Sequence, residues 1–119
     1  MIESDKIKLA SQQLASLSTE AINELLKDMA NALEAGTEEI LVANERDLSR
    51  MDSSDPKYDR LRLTHERISA IASDCRNVAS LPSPLGRILS QRTMPNGLEI
   101  SRVSVPFGVI GVIYEARPN

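Results

Sequence analysis

Val105-Pro106-Phe107-Gly108-Val109-Ile110-Gly111-Val112-Ile113-Tyr114-Glu115-Ala116-Arg117-Pro118-Asn119 closes the chain, and its reading decides the fold. Pro106-Phe107-Gly108 predicts a turn. Val109 to Ile113 is an uninterrupted apolar run of the kind found in strands buried on both faces, which occupy the parallel sheets of α/β proteins. A parallel pair needs a crossover and a second strand, and neither follows within the 119 residues.

Upstream, Arg87 to Met94 and Leu98 to Val105 are two extended runs around Pro95-Asn96-Gly97. Asn-Gly between such runs predicts a hairpin, with a type I′ turn if both central residues take positive φ. The alternation is imperfect: Leu98 and Ile100 share one face, Val103 and Val105 the other. A twist, a bulge or two buried ends would account for that. A two-stranded ribbon is marginal alone, so this one is expected to lean on another surface.

The first eighty residues read as helix. Ile7, Ala10, Leu14 and Leu17 make one stripe at helical spacing. Ser18 is a suitable N-cap for a second helix, with Glu20 in its first turn. Its stripe is Ile22, Leu25, Leu26, Met29 and Leu33, and Gly36 is expected to end it in the left-handed conformation. Thr37 reads as the next N-cap, before Glu38 and Glu39. Ile40, Leu41, Asn44, Leu48 and Met51 line the third helix, where a buried Asn44 amide would need partners. Asp52-Ser53-Ser54-Asp55-Pro56 is a loop, and Tyr58 to Leu63 a short linker or single turn. Thr64 caps a fourth helix with an apolar face of Ile68, Ile71, Ala72, Cys75, Val78 and Ala79. Leu81-Pro82-Ser83-Pro84 ends it, since proline lacks the helix donor.

Composition narrows the function classes. Hydrophobic residues are 41% and charged residues 26% of the chain, as in globular domains. The formal net charge is −3 and aromatics are 3%, which argues against binding to a nucleic-acid backbone or a base-stacking platform. No nucleic-acid partner is expected. No apolar stretch approaches the roughly 18 residues of a membrane span. Met1-Ile2-Glu3-Ser4-Asp5 lacks the basic start of a secretory signal. The single Cys75 can form no internal disulfide, and the expected compartment is the cytoplasm.

Three stretches carry a family resemblance: Asp59-Arg60-Leu61-Arg62-Leu63-Thr64 with Ile68, Pro95-Asn96-Gly97-Leu98, and the closing Val105 to Asn119. With Ala43-Asn44-Glu45-Arg46-Asp47-Leu48 they make the chain resemble the γ-glutamyl phosphate reductase (glutamate-5-semialdehyde dehydrogenase) family of the aldehyde dehydrogenase superfamily. The resemblance covers nearly all of the chain but only the opening part of the family's length. It implies NADP-dependent reduction of γ-glutamyl phosphate to glutamate 5-semialdehyde in proline biosynthesis. In that reaction a cysteine thiolate forms a thioester, phosphate leaves, and hydride reduces the thioester. The implied fold is α/β, the N-terminal part of an aldehyde-dehydrogenase-like structure. Residues 1–84 would be a helical part of the cofactor-binding domain and 85–105 a β-hairpin arm for homo-oligomerisation. Residues 106–119 would hold the first strand of the cofactor sheet. The parent would be a stand-alone reductase or a fused synthase with a kinase upstream; a start at Met1 favours the first.

By the same resemblance Asn119 is the candidate catalytic residue, its side-chain amide donating to a developing oxyanion. The alternative is a turn Asn after proline, and the superfamily's Pro-Trp-Asn differs from Arg117-Pro118-Asn119 here. Glu115 and Arg117 would stand at the C-terminal edge of the strand, where open α/β sheets bind ligands. Arg117 would offer a forked contact to carboxylate or phosphate; the alternative is an ordinary surface pair. Cys75 lies on an apolar helix face and reads as a small hydrophobe, not a nucleophile. His65 has no Cys or His cluster around it and reads as surface, so no metal is expected. Gly108 and Gly111 fall short of a dinucleotide fingerprint and read as close-packing positions. The 119 residues alone are expected to be inactive, for want of a nucleophile. The rival reading is a non-catalytic helical module with a β-arm that acts by association.

Overall fold

The computed structural model describes residues 4–113. Its elements are α1 (Ser4–Ala15), α2 (Thr19–Ala35), α3 (Thr37–Leu48), α4 (Tyr58–Leu61), α5 (His65–Ser80), β1 (Ile88–Thr93) and β2 (Glu99–Val103). They belong to two compact units. One is built on Glu20–Leu81, and the other groups the residues up to Thr19 with Pro82–Gly111.

The Glu20–Leu81 unit contains α2 to α5. Its buried apolar side chains are Ala30 from α2, Leu48 from α3, and Ile68, Ala72 and Ala79 from α5. Ile68 is the largest of those fully enclosed, and burying such a side chain stabilises by about 1.5–3 kcal/mol. Alanine at three of the five positions lets helix surfaces approach closely but adds little apolar area. The core is therefore small. Ile71 and Cys75 are half-buried, whereas Val78, expected on the same face, is exposed at 52%. It lies at the edge of the stripe, beside the buried Ala79.

Two expectations about the α2–α3 junction are corrected. Gly36 is not left-handed; its φ is −88° and it serves as the N-cap of α3. Its N–H donates to the Ala32 carbonyl at 2.9 Å, and its carbonyl accepts the Ile40 N–H at 3.0 Å. The two helices thus meet at a single shared residue. Glycine is suited to this joint by space, because a Cβ there would sit 3.2 Å from the Ala32 carbonyl oxygen. Thr37 is the first helical residue rather than the cap, and its hydroxyl donates back to the Leu33 carbonyl at 3.2 Å. Such back-bonding is the usual alternative for a threonine inside a continuous helical path.

Other boundaries follow the sequence closely. Helix α2 begins directly after Ser18. Thr64 is the N-cap of α5, extended at φ −138° and ψ 163°, its hydroxyl accepting the Arg67 N–H at 3.2 Å. Helix α5 stops at Leu81, which turns extended before Pro82. The Asp52–Pro56 loop is held by Asp52 Oδ1, which accepts from both the N–H and the hydroxyl of Ser54 at 2.8 Å.

In the other unit, α1 presents its apolar stripe without burying any residue. Strands β1 and β2 pair antiparallel with Thr93 opposite Glu99 and Gln91 opposite Ser101. The register shifts between Ile88 and Ser90, so Leu89 is an extra residue. This bulge lies on β1, so it does not account for the imperfect alternation of Leu98, Ile100, Val103 and Val105 on the other run. The turn differs from the type I′ expectation. Gly97 N–H donates to the Met94 carbonyl at 2.9 Å and Met94 N–H to the Leu98 carbonyl at 2.8 Å. The loop is therefore three residues, Pro95-Asn96-Gly97, with Gly97 at φ +84°. Proline at the first position fixes φ near −65°, which suits a type I turn followed by a left-handed glycine.

Ser104 closes the open end of the ribbon. Its N–H donates to the Arg87 carbonyl and its carbonyl accepts the Gly86 N–H, both at 3.0 Å. Its hydroxyl accepts the Arg87 N–H and donates to the Pro84 carbonyl. Every residue of β1 and β2 is exposed on both faces.

The apolar run Val109 to Ile113 forms no strand, contrary to expectation. A strand exists by its ladder, and none of the described residues pairs with this run. Phe107 is exposed at 95% and Ile113 at 103%.

Candidate functional site

The candidate site residues of the tail, Glu115, Arg117 and Asn119, lie outside the described residues. The described residues show what stands before them. Gly108 holds φ +84°, a left-handed value that accounts for glycine there. Neither Gly108 nor Gly111 is a close-packing position among the described residues, since a Cβ at either would meet nothing within 4 Å.

Residues that could carry chemistry elsewhere are committed to structure. Cys75 is a free, half-buried thiol on α5, one turn from the buried Ala72 and Ala79. His65 is exposed and its Nε2 lies 2.8 Å from Glu38 Oε1, joining the first turns of α5 and α3. No group of three or more His, Cys, Asp or Glu among the described residues could hold a metal.

The densest polar arrangement surrounds Asp59-Arg60-Leu61-Arg62-Leu63-Thr64. Asn44 of α3 is buried, at 8% exposure. Its Nδ2 donates to the Leu61 carbonyl at 2.9 Å and its Oδ1 accepts the Leu63 N–H at 2.8 Å. The amide thus replaces a backbone partner for the linker between α4 and α5. Arg67 reaches back across the same linker. Its Nη1 donates to the carbonyls of Asp59 and Arg62, and its Nη2 meets Asp59 Oδ2 at 3.1 Å. Asp59 Oδ1 also accepts from Arg62 at 3.2 Å. No buried side-chain nitrogen or oxygen among the described residues lacks a partner.

Arg76 of α5 makes the second network. Nη1 and Nη2 contact Glu34 Oε1 and Oε2 at 2.8 and 2.6 Å, and Nη2 also contacts Asn31 Oδ1 at 2.9 Å. This hydrogen-bonded guanidinium holds the Glu34 carboxyl below the usual carboxylate range, and the Arg76 pKa is raised in return. Asp52 is likewise depressed, chiefly by the Ser54 backbone N–H. Arg67 and Arg76 therefore spend their forks on the fold and do not present them to a ligand. Sequence reading missed both arginines and Ser104, because their partners lie 5 to 45 residues away along the chain. Asn44 alone announced itself, as a polar residue in an apolar stripe.

No described helix is long and apolar enough to cross a membrane. No family model matches the chain. Curated relatives cover almost all of it. It is 60% identical over 113 residues to the γ-glutamyl phosphate reductase of Bacteroides thetaiotaomicron, covering 95% of this chain and 27% of that protein. It is 55% identical over 115 residues to that of Chlorobium phaeobacteroides, covering 97% and 28% respectively. The chain thus spans little more than a quarter of the length of these relatives. The crystal structure of γ-glutamyl phosphate reductase from Thermotoga maritima superposes with a TM-score of 0.78 at 31% identity, over 86% of this chain and 25% of that one. The Saccharomyces cerevisiae enzyme gives 0.76 at 26% identity, over 89% and 29%. The match is to the N-terminal part of these structures. The resemblance drawn from the sequence motifs is thereby shown along nearly the whole chain, as is its α/β class.

Proposed function

We propose that this chain is one segment of a γ-glutamyl phosphate reductase, serving NADP-dependent reduction of γ-glutamyl phosphate to glutamate 5-semialdehyde in proline biosynthesis in the cytoplasm. The observation that carries this reading is 60% identity over 95% of the chain to a protein of that name. In the proposed reaction a thiolate displaces phosphate from the acyl phosphate. Hydride addition and departure of the thiolate then give the aldehyde. NADPH, when bound, supplies the hydride. The described residues do not make a cradle for it, so no cofactor contact is assigned to them.

Within this reading Asn119 donates to the oxyanion, and Glu115 and Arg117 stand at the substrate or cofactor edge. Their support is the motif alone. The ribbon of 85–105 is the arm by which copies associate, residues 1–84 belong to the cofactor-binding domain, and 106–119 contribute its first strand. The exposure of both ribbon faces and of Val109 to Ile113 supports these assignments, because such surfaces are expected to be covered.

The full-length protein carrying this segment is expected to oxidise NADPH only when γ-glutamyl phosphate is supplied, with release of one phosphate per aldehyde formed. Turnover of a different acyl phosphate in preference would overturn the substrate assignment. The 119 residues alone are expected to show no turnover, since Cys75 is their single cysteine and sits in a structural position. The exposed ribbon also favours a second reading, a module that acts by association alone. Sedimentation of the 119-residue chain separates the two, because a stable monomer at all concentrations argues against that module.

A further inference from the structure

We propose that Asn96 is a site of spontaneous covalent modification, converting through a cyclic imide to aspartate and isoaspartate at the tip of the ribbon. The reaction needs an asparagine whose side-chain carbonyl carbon is reachable by the nitrogen of the next residue, and a next residue that does not obstruct the approach. Asn96-Gly97 is the only Asn-Gly pair in the chain. Gly97 carries no side chain, and the space where one would stand is open for 4 Å. The tip residues Pro95, Asn96 and Gly97 are all exposed.

The side chain of Asn96 is also posed for the reaction. Its Oδ1 accepts the Leu98 N–H at 3.1 Å. That bond curls the side chain back over the Asn96–Gly97 peptide, as in an Asx turn, and draws electron density from the carbonyl carbon that is to be attacked. The opposing restraint is the Gly97 N–H bond to the Met94 carbonyl at 2.9 Å. That bond closes a turn at the end of a ribbon whose strand residues are all exposed, so its opening is a local event. Asn23, Asn31, Asn44 and Asn77 all lie within helices, where the following N–H is engaged in the helical ladder and the following residue has a side chain.

The steps balance without an oxidant or a co-reactant other than water. Gly97 N loses its proton to solvent and bonds to Asn96 Cγ, and the Cγ–Nδ2 bond breaks with release of ammonia. Water then opens the imide. Opening at one carbonyl restores the chain with an aspartate. Opening at the other leaves an isoaspartate, which routes the main chain through the side-chain methylene. Either product adds a negative charge three residues from Glu99. The isoaspartate also lengthens the loop that Met94 and Gly97 close, so the Gly97-to-Met94 bond is lost.

The test incubates the intact folded protein at mildly alkaline pH and follows the tryptic peptide Thr93–Arg102 by mass spectrometry and by enzymatic isoaspartate methylation. Conversion at Asn96 several-fold faster than at any other asparagine, abolished in Asn96→Gln, is the expected result. Retention of the Asn96 amide in the folded protein, while the same protein in denaturant converts, would overturn the proposal, because the fold would then be shielding the pair.

Discussion

The Oδ1 of Asn44 accepts the main-chain N–H of Leu63 at 2.8 Å, 19 residues further on. Through this bond and its companion to the Leu61 carbonyl, a single buried amide holds the linker between α4 and α5 against α3. Asn44→Leu is expected to destabilise the protein by about 2–4 kcal/mol, because it strands a part-buried donor and a part-buried acceptor at roughly 1–2 kcal/mol each. Asn44→Asp keeps the acceptor but faces the Leu61 carbonyl with an oxygen, and should fall between wild type and Asn44→Leu. Urea unfolding of the three proteins checks the order.

Arg67 spans the same linker by a different chemistry. Its fork contacts two carbonyls and one carboxylate at once, which an ammonium cannot reproduce. Arg67→Lys is expected to cost about 1 kcal/mol even though charge is preserved. A substitution that left the urea midpoint unchanged would show that the guanidinium geometry does not matter.

The Glu34–Arg76 pair gives stability a pH dependence of known sign. Because the Glu34 carboxyl is depressed in the folded protein, its contribution is fully present above the ordinary carboxylate pKa. It is lost as pH falls through the lower, folded value. Glu34→Gln should lower the unfolding midpoint at neutral pH and flatten its fall across the acidic range, so that the two proteins converge at low pH. A denaturation series in buffers on both sides of the carboxylate range reads this directly.

Two glycines should respond differently to alanine. At Gly36 the φ of −88° suits any residue, and the gain in helix propensity of roughly 0.5–1 kcal/mol opposes the tight approach to the Ala32 carbonyl. The net effect on the melting temperature should be small. At Gly97, φ +84° makes alanine cost about 1–2 kcal/mol, felt at the ribbon. Amide exchange at Met94 and Gly97, whose N–H groups close the turn, should quicken in Gly97→Ala and not in Gly36→Ala.

Cys75 should be dispensable for chemistry. Cys75→Ser in the full-length protein is expected to leave turnover within about twofold of the parent, with a loss of stability of roughly 1 kcal/mol from exchanging a half-buried thiol for a hydroxyl. A drop of several orders of magnitude in kcat at unchanged fold would make it a reacting group.

How far the fold was readable depended on the range of the interaction. Thr64 as a cap and Leu81-Pro82 as a stop are decided within four residues, and both stand. Gly36 misled because a glycine between helical stripes signals either a left-handed stop or a point of close approach, and only the Ala32 contact distinguishes them. Asn96-Gly97 was correct as a hairpin and wrong in turn type, since Pro95 shifts the turn by one residue. The arginines were invisible. An exposed cation has many acidic residues to choose from, and nothing local says that Arg76 will choose Glu34, 42 residues away. Val109 to Ile113 reads as a strand by composition, but composition supplies no ladder partner.

The Asn44 clamp also has a temporal meaning. Its bonds close loops of 17 and 19 residues, whereas the Arg76 contacts with α2 close loops of 42 and 45. Shorter loops lose less chain entropy on closing, and contacts near in sequence form sooner. The α3–α5 segment is therefore expected to assemble first during refolding, with α2 clasped onto it afterwards by Arg76.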